Sequence, residues 1–514
     1  MRSLLLILFS IISFFLPANS KSTLTFRQEN AVYEIKENYD LAGKTITIPA
    51  GCTLRYKGGK INNGTLKGSG TMVDANYNQI FGNNLRFEGS WNVVAWLPEW
   101  FGAKGEEGKI DTKALQCALD AARDTDSRIV QLQGRTYYTD APLSVYPYTS
   151  LIGADLTASW LNATQIMPTS DVNGVQLTAV GSDAESCCVT IKNLIIRNGH
   201  SNYSNVGLLI SKDSICFGVS KLRLENVQIL YFNYGIMADL YGMSPFAYCD
   251  FRNVECNHNN IGLYVEGHYD GDKCSHKIWM NLNRFEFCRF SENRIGGVYV
   301  HDVWNLFNNT FDQCCFEGNG RYYSLTRYNQ YGAYGAKFSN TFTPSSGGNI
   351  FQNCYFEVNI PQRKGSVVEK EEYKYGEIIY PVGFLESKTT GNVILQQHSF
   401  SFDNCVSSRN KCFVLLNDNS HINITRSFFY DLEQISMTDF ERYFIEFNDT
   451  YVPSSVYSER NSFNISHGKK FHYFHFITTP NGKNSIYSIQ KDDTIDGGTV
   501  KLDNSSIKKL LKNE

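Results

Sequence analysis

Apolar and polar residues in the middle of the chain fall into columns when a few short segments are laid over one another. FEFCRFSENRIGGVYVHD (285–302) aligns with FRNVECNHNNIGLYVEG (251–267), starting 34 residues later. Both carry Phe, an apolar residue three on, Asn eight on, and then Gly-Φ-x-Φ, where Φ is apolar. FDQCCFEGN (311–319), FQNCYFEVN (351–359) and FDNCVSSRN (402–410) repeat the first half. One column is Phe251, Phe285, Phe311, Phe351 and Phe402, and a second is Val254, Cys288, Cys314, Cys354 and Cys405. A third is Asn259, Asn293, Asn319, Asn359 and Asn410. Such segments predict short strands, and their repetition predicts a solenoid whose coils bury an apolar face only by stacking. The expected fold is all-β, a right-handed parallel β-helix with coils about 4.8 Å apart. The Phe and Cys columns should point inward. The Asn column should form a turn ladder, because Asn accepts left-handed backbone and bonds its own turn.

One stretch changes period. Leu115, Ala118, Leu119 and Ala122 share one helical face, with Asp111 or Thr112 as N-cap, so an α-helix is expected to cap the N-terminal end of the core. Residues 21–95 read as a β-rich leading layer, 96–435 as the β-helix, and 436–514, where the register fades, as a β-rich cap with a polar tail. Residues 1–20 combine basic Arg2, an apolar run over 4–16 and small Ala18 and Ser20, the pattern of a secretory signal peptide. No Cys follows that run, so a lipoprotein anchor is not expected, and the chain reads as exported to a periplasm or the medium. No later apolar run is long enough to span a bilayer.

The charge balance changes little: 48 Lys plus Arg against 51 Asp plus Glu gives a net charge of −3, which argues for no nucleic-acid partner. Fourteen cysteines in an exported chain would ordinarily mean disulfides. The four in the repeat column read instead as small buried hydrophobes, leaving Cys187 with Cys188, Cys249 with Cys256, and Cys274 open to pairing. CxxC pairs are absent, so a zinc site is not expected. Nothing in the sequence sets an oligomeric state.

WFGAKGEEGKIDTKALQCALDAA (100–122), VQLQGRTYYTDAPL (130–143) and SLIGA (150–154) together resemble the leading segment of the pectate-lyase-like superfamily. That group includes polysaccharide lyases, glycoside hydrolases and phage tailspikes. In its Gly-Asp-Gly-x-x-Asp-Asp-Thr motif, Glu106 and Glu107 replace Asp and Gly and Ile110 replaces the first Asp of the pair, while Asp111 and Thr112 remain. The resemblance implies the same fold and a bacterial, secreted, polysaccharide-degrading protein. The polygalacturonase motif set and the pectate-lyase Trp-Ile-Asp-His strand are absent.

Alternation on the Gly-Φ-x-Φ strands supplies the candidate chemistry. Val298 and Val300 point in, so Tyr299 and His301 point out. The same rule turns out Tyr264 and Glu266 one coil earlier, Met237 and Asp239 before that, and Lys337 and Ser339 one coil later. Tyr264, Tyr299 and Lys337 should form one file, and Asp239, Glu266 and His301 another. β-Elimination of a uronic-acid polymer needs a base, an acid for the leaving oxygen and a cation for the carboxylate. His301 and Tyr299 fit the first two roles, Lys337 the third, with Arg294 as a second cation and Tyr264 as a platform for a sugar ring. Asp302 and Trp304, flanking the stripe, would form a subsite. The leading expectation is therefore a lyase acting on an acidic polysaccharide of glycosaminoglycan or pectic type. One alternative is a glycoside hydrolase using Asp239 and Glu266, and another is a carbohydrate-binding β-helix without activity. No cofactor is required by this reading. The loop after the Glu266 strand, GHYDGDKCSHK (267–277), carries His268, Asp270, Asp272 and His276, and Glu266, Asp270 and Asp272 offer a weak set of oxygen ligands for calcium.

Overall fold

The computed structural model describes residues 24–155, 163–178, 185–200, 203–210, 218–241, 245–268, 278–303, 305–320, 334–339, 348–357, 382–387, 398–408, 412–416, 420–430, 442–447, 455–464, 470–476, 486–491, 494–496, 499–501 and 507–509. The signal-peptide reading of residues 1–20, Asn359, Asn410, Trp304, Asp270 and Asp272 lie outside them.

Each coil runs through three strands, and each strand pairs in parallel with its counterpart in the next coil. Asp250–Asn257, Ile261–His268 and Trp279–Asn281 make one coil, and Arg284–Glu286, Gly296–His301 and Asn305–Phe307 the next. The pairings build long parallel sheets, one of them 12-stranded and one with a 15-stranded path. This is the right-handed parallel β-helix that the repeats predict.

The register places Phe251 beside Phe285, then Phe311, Phe351 and Phe402, all buried. Their rings lie face to face with centroids 4.5, 4.5, 4.6 and 5.2 Å apart. The coil spacing of a sheet is thus also a ring-stacking distance. Beside them, Cys288, Cys314, Cys354 and Cys405 are free, buried thiols that donate to the carbonyls of Phe251, Phe285, Phe311 and Phe351. Burial raises the pKa of Cys288, Cys314 and Cys354 well above the ordinary thiol value, so these sulfurs stay protonated and unreactive. Cys256 is also a free, buried thiol. Alkylating the unfolded protein without reductant should label all of these residues, and peptide mass mapping that found any of them in a disulfide would contradict the packing.

The Asn column forms a ladder of a different kind from the one expected. Asn259, Asn293 and Asn319 are fully buried, and their amides point inward. The side-chain oxygen of Asn293 accepts from the Asn259 amide at 3.0 Å, and that of Asn319 from the Asn293 amide at 3.1 Å. The left-handed backbone falls one residue earlier, at His258, Glu292 and Gly318. A buried turn needs partners for its own backbone N–H groups, and the stacked amides supply them. A second buried ladder, Asn283, Asn309 and Asn349, does the same at another corner.

The helix, Thr112–Asp124, buries Ala114, Leu115, Ala118 and Leu119 against the strand Leu85–Trp91 and the first coil. Asp111 holds the N-cap position without a side-chain capping bond. Its carboxylate instead accepts from the backbone amides of Lys104 and Gly105, tying down the approach to the helix. At the other end, strands Arg442–Phe447, Lys470–Phe476 and Thr499–Lys501 extend the 12-stranded sheet, and Ile507–Lys509 ends the other. Paired strands therefore continue past residue 435. Ser458, Asn461 and Phe463 are buried in this stretch. Among the described residues, no helix is long and apolar enough to cross a membrane.

Candidate functional site

The outer face of the 12-stranded sheet carries the two files in register. Met237, Tyr264, Tyr299 and Lys337 are successive partners, as are Asp239, Glu266, His301 and Ser339. A third file pairs Tyr241 with His268. The face is graded from apolar to polar along each strand.

Its apolar side is a small core of its own, built from Ile261, Tyr264, Tyr299 and Tyr334 with Tyr234 and Met237 packed against them. Gly296 makes room for it: a Cβ there would lie 2.0 Å from the Tyr334 ring. Tyr264 is stacked on Tyr234 at 4.6 Å and meets Tyr299 at 5.3 Å, so its faces are occupied by protein. Its ring is a wall of the site and does not lie open as a sugar platform. Burial and the neighbouring Glu266 carboxylate push the Tyr264 pKa far up.

Lys337 reaches over this aromatic surface, its Nζ 4.6 Å from the Tyr299 ring centre and 5.9 Å from that of Tyr334. Desolvation lowers its pKa to about 8. The unfolded chain therefore holds a proton on this residue between pH 8 and its ordinary 10.5 that the folded chain has lost, and native stability rises with pH across that window. Lys337→Met should stabilise the protein by on the order of 2 kcal/mol at pH 7. The gain should vanish above pH 10.5, where both states are neutral, as urea denaturation at the two pH values would show.

The polar side holds the proton-carrying groups. The Tyr299 hydroxyl lies 3.4 Å from His301 Nδ1, and His301 Nε2 lies 3.2 Å from an Asp302 oxygen. Asp302 has a left-handed backbone, φ 54°, which turns the chain just after the strand and lets its carboxylate meet the imidazole. Tyr299, His301 and Asp302 thus form a continuous relay. One coil earlier, His268 Nε2 is bonded to Asp239 and stands 3.8 Å from Glu266, while Tyr241 stacks on the imidazole at 4.1 Å. Donor atoms of Asp239, Glu266 and His268 all lie within 4.8 Å of one another, close enough to hold a metal ion.

Arg294 sits apart from this group, its guanidinium 4.4 Å over the Tyr203 ring at the corner leading into the sheet. His268, Tyr241 and Asp302 carry more of the site than the sequence implied. His268 reads there as part of a polar loop but is the last residue of the strand Ile261–His268, and continuing the alternation by one step would have turned it outward.

No family model matches the chain. It is 26% identical over 265 residues to depolymerase 1, capsule KN3-specific, of Klebsiella phage KN3-1, a match covering 44% of this chain and 32% of the relative. The chain therefore spans about a third of the length of that relative. Similar solved structures include the surface adhesin PfbA of Streptococcus pneumoniae, 12% identical with a TM-score of 0.46 over 79% of this chain and 91% of that one. Another is the A-module of the mannuronan C-5 epimerase AlgE4 of Azotobacter vinelandii, 11% identical with a TM-score of 0.43 over 80% and 99%. By its stacked parallel coils the chain is a right-handed parallel β-helix.

Proposed function

We propose that this chain is an exported polysaccharide-degrading enzyme that cleaves an acidic polysaccharide, of glycosaminoglycan or pectic type, by β-elimination. The observation that carries the reading is the Tyr299–His301–Asp302 relay beside the Lys337 ammonium. In the proposed step, His301 takes the proton next to the uronate carboxylate, and the electron pair left behind forms the C=C bond as the glycosidic oxygen departs. Tyr299 protonates that oxygen. The proton then passes from His301 to Tyr299 across 3.4 Å, resetting both. Asp302 stabilises the imidazolium, and Lys337 neutralises the substrate carboxylate in a desolvated setting where one charge counts for more than in water. Similarity to a phage protein named as a capsule depolymerase supports a polysaccharide substrate.

A second reading, retaining glycoside hydrolysis by Asp239 and Glu266, is favoured by one observation: their carboxylate oxygens lie within 4.8 Å, near the roughly 5 to 5.5 Å separation of retaining pairs. Against it, Asp239 is engaged by His268. The test is to incubate the protein with a panel of acidic and neutral polysaccharides, following unsaturated-uronate absorbance alongside reducing ends. Elimination raises both together. Reducing ends without absorbance would replace it with hydrolysis, and neither signal with retained binding would leave a carbohydrate-binding β-helix.

A further inference from the structure

We propose that Asp239, Glu266 and His268 form a binding site for a divalent transition-metal ion such as Zn2+. The donors come from two adjacent strands and their spacing is fixed by the backbone. Glu266 and His268 stand two residues apart on one strand, both facing out, and Asp239 is the cross-strand partner of Glu266. Their donor atoms converge within 4.8 Å.

The surroundings are those of oriented ligands. The Tyr241 ring lies parallel to the His268 imidazole at 4.1 Å and sets its plane. Partners of this kind hold metal ligands in position. Asp239 is only 8% exposed, and a buried carboxylate facing a second one is costly unless positive charge lies between them. A divalent ion at Nε2 would take the place of the direct His268–Asp239 contact and neutralise both acids.

The donor set also selects the metal. Two carboxylates and one imidazole suit zinc or a neighbouring first-row ion, whereas calcium prefers six to eight oxygens. Three protein ligands leave coordination positions free, on the same face as His301, the cross-strand partner of Glu266 in the next coil. The site stands on this geometry alone and does not depend on the elimination reaction.

Titration of the chelator-stripped full-length protein with Zn2+, followed by calorimetry, tests the site. One equivalent should bind and raise the melting temperature, while Ca2+ at the same concentration should do neither. Asp239→Asn and His268→Gln should each weaken zinc binding at least about a hundredfold with circular dichroism unchanged, and Tyr299→Phe should leave it intact. Zinc affinity unaltered in both ligand variants, no stoichiometric zinc binding, or equal binding of Ca2+ would overturn the assignment. Because the readout is binding, a failure here is distinguishable from a failure of the proposed reaction.

Discussion

His301→Ala should lower the rate of polysaccharide cleavage by at least about a hundredfold, the lower end of what a positioned acid–base group contributes. The fold should survive, because His301 lies on the outer face of the sheet with its side chain 24% exposed and outside the aromatic cluster. The loss should fall mainly on kcat, since the imidazole acts on a proton in flight and holds no other part of the substrate. Asp302→Asn should have a smaller effect in the same direction, because the amide still orients the ring but no longer balances its charge. Tyr299→Phe removes the proposed proton donor while leaving the ring in its cluster. Wild-type turnover in His301→Ala would remove the relay from the mechanism, and a collapsed melting transition would show that the residue is structural.

Phe311→Ala should destabilise the protein by about 3 to 5 kcal/mol, as for a large ring deleted from a core that cannot close around the gap. The ring is sandwiched between Phe285 at 4.5 Å and Phe351 at 4.6 Å, so one substitution breaks two stacks in a solenoid whose coils contact only their neighbours. Phe287, two residues after Phe285 but 43% exposed at a turn, provides the control. Its replacement by Ala should change stability by less than about 0.5 kcal/mol. Urea unfolding of the two variants would show a large and a small shift, and equal shifts would mean that the stack does not carry the core.

The Phe and Cys columns were legible in the sequence because the interior of each coil repeats one steric demand, a flat ring or a small sulfur at a fixed step. The strand carrying Tyr299 and His301 was legible for the same reason, since Val298 and Val300 fix which side faces out. The Asn ladder was legible as a column, but its direction was not. An Asn that turns the backbone and an Asn that accepts from the next buried amide look alike in one dimension, and only the left-handed angles of His258, Glu292 and Gly318 separate them. After residue 435 the repeat is no longer legible in the sequence, although strands go on pairing there. His268 was hidden by the Asp- and Gly-rich run that follows it, which reads as loop. The partial burial of Lys337 over Tyr299 and Tyr334, and the burial of the Tyr264 ring, depend on side chains meeting across coils, which spacing alone does not reveal.

Elimination and hydrolysis differ by one molecule of water per bond broken, and product masses read that difference directly. Mass spectrometry of the oligosaccharides released from an acidic polysaccharide should show fragments whose masses add up to that of the chain cut, each new non-reducing end carrying an unsaturated uronate. Fragments heavier by one water for every cut, with saturated ends, would contradict β-elimination and move the chemistry from Tyr299 and His301 to Asp239 and Glu266.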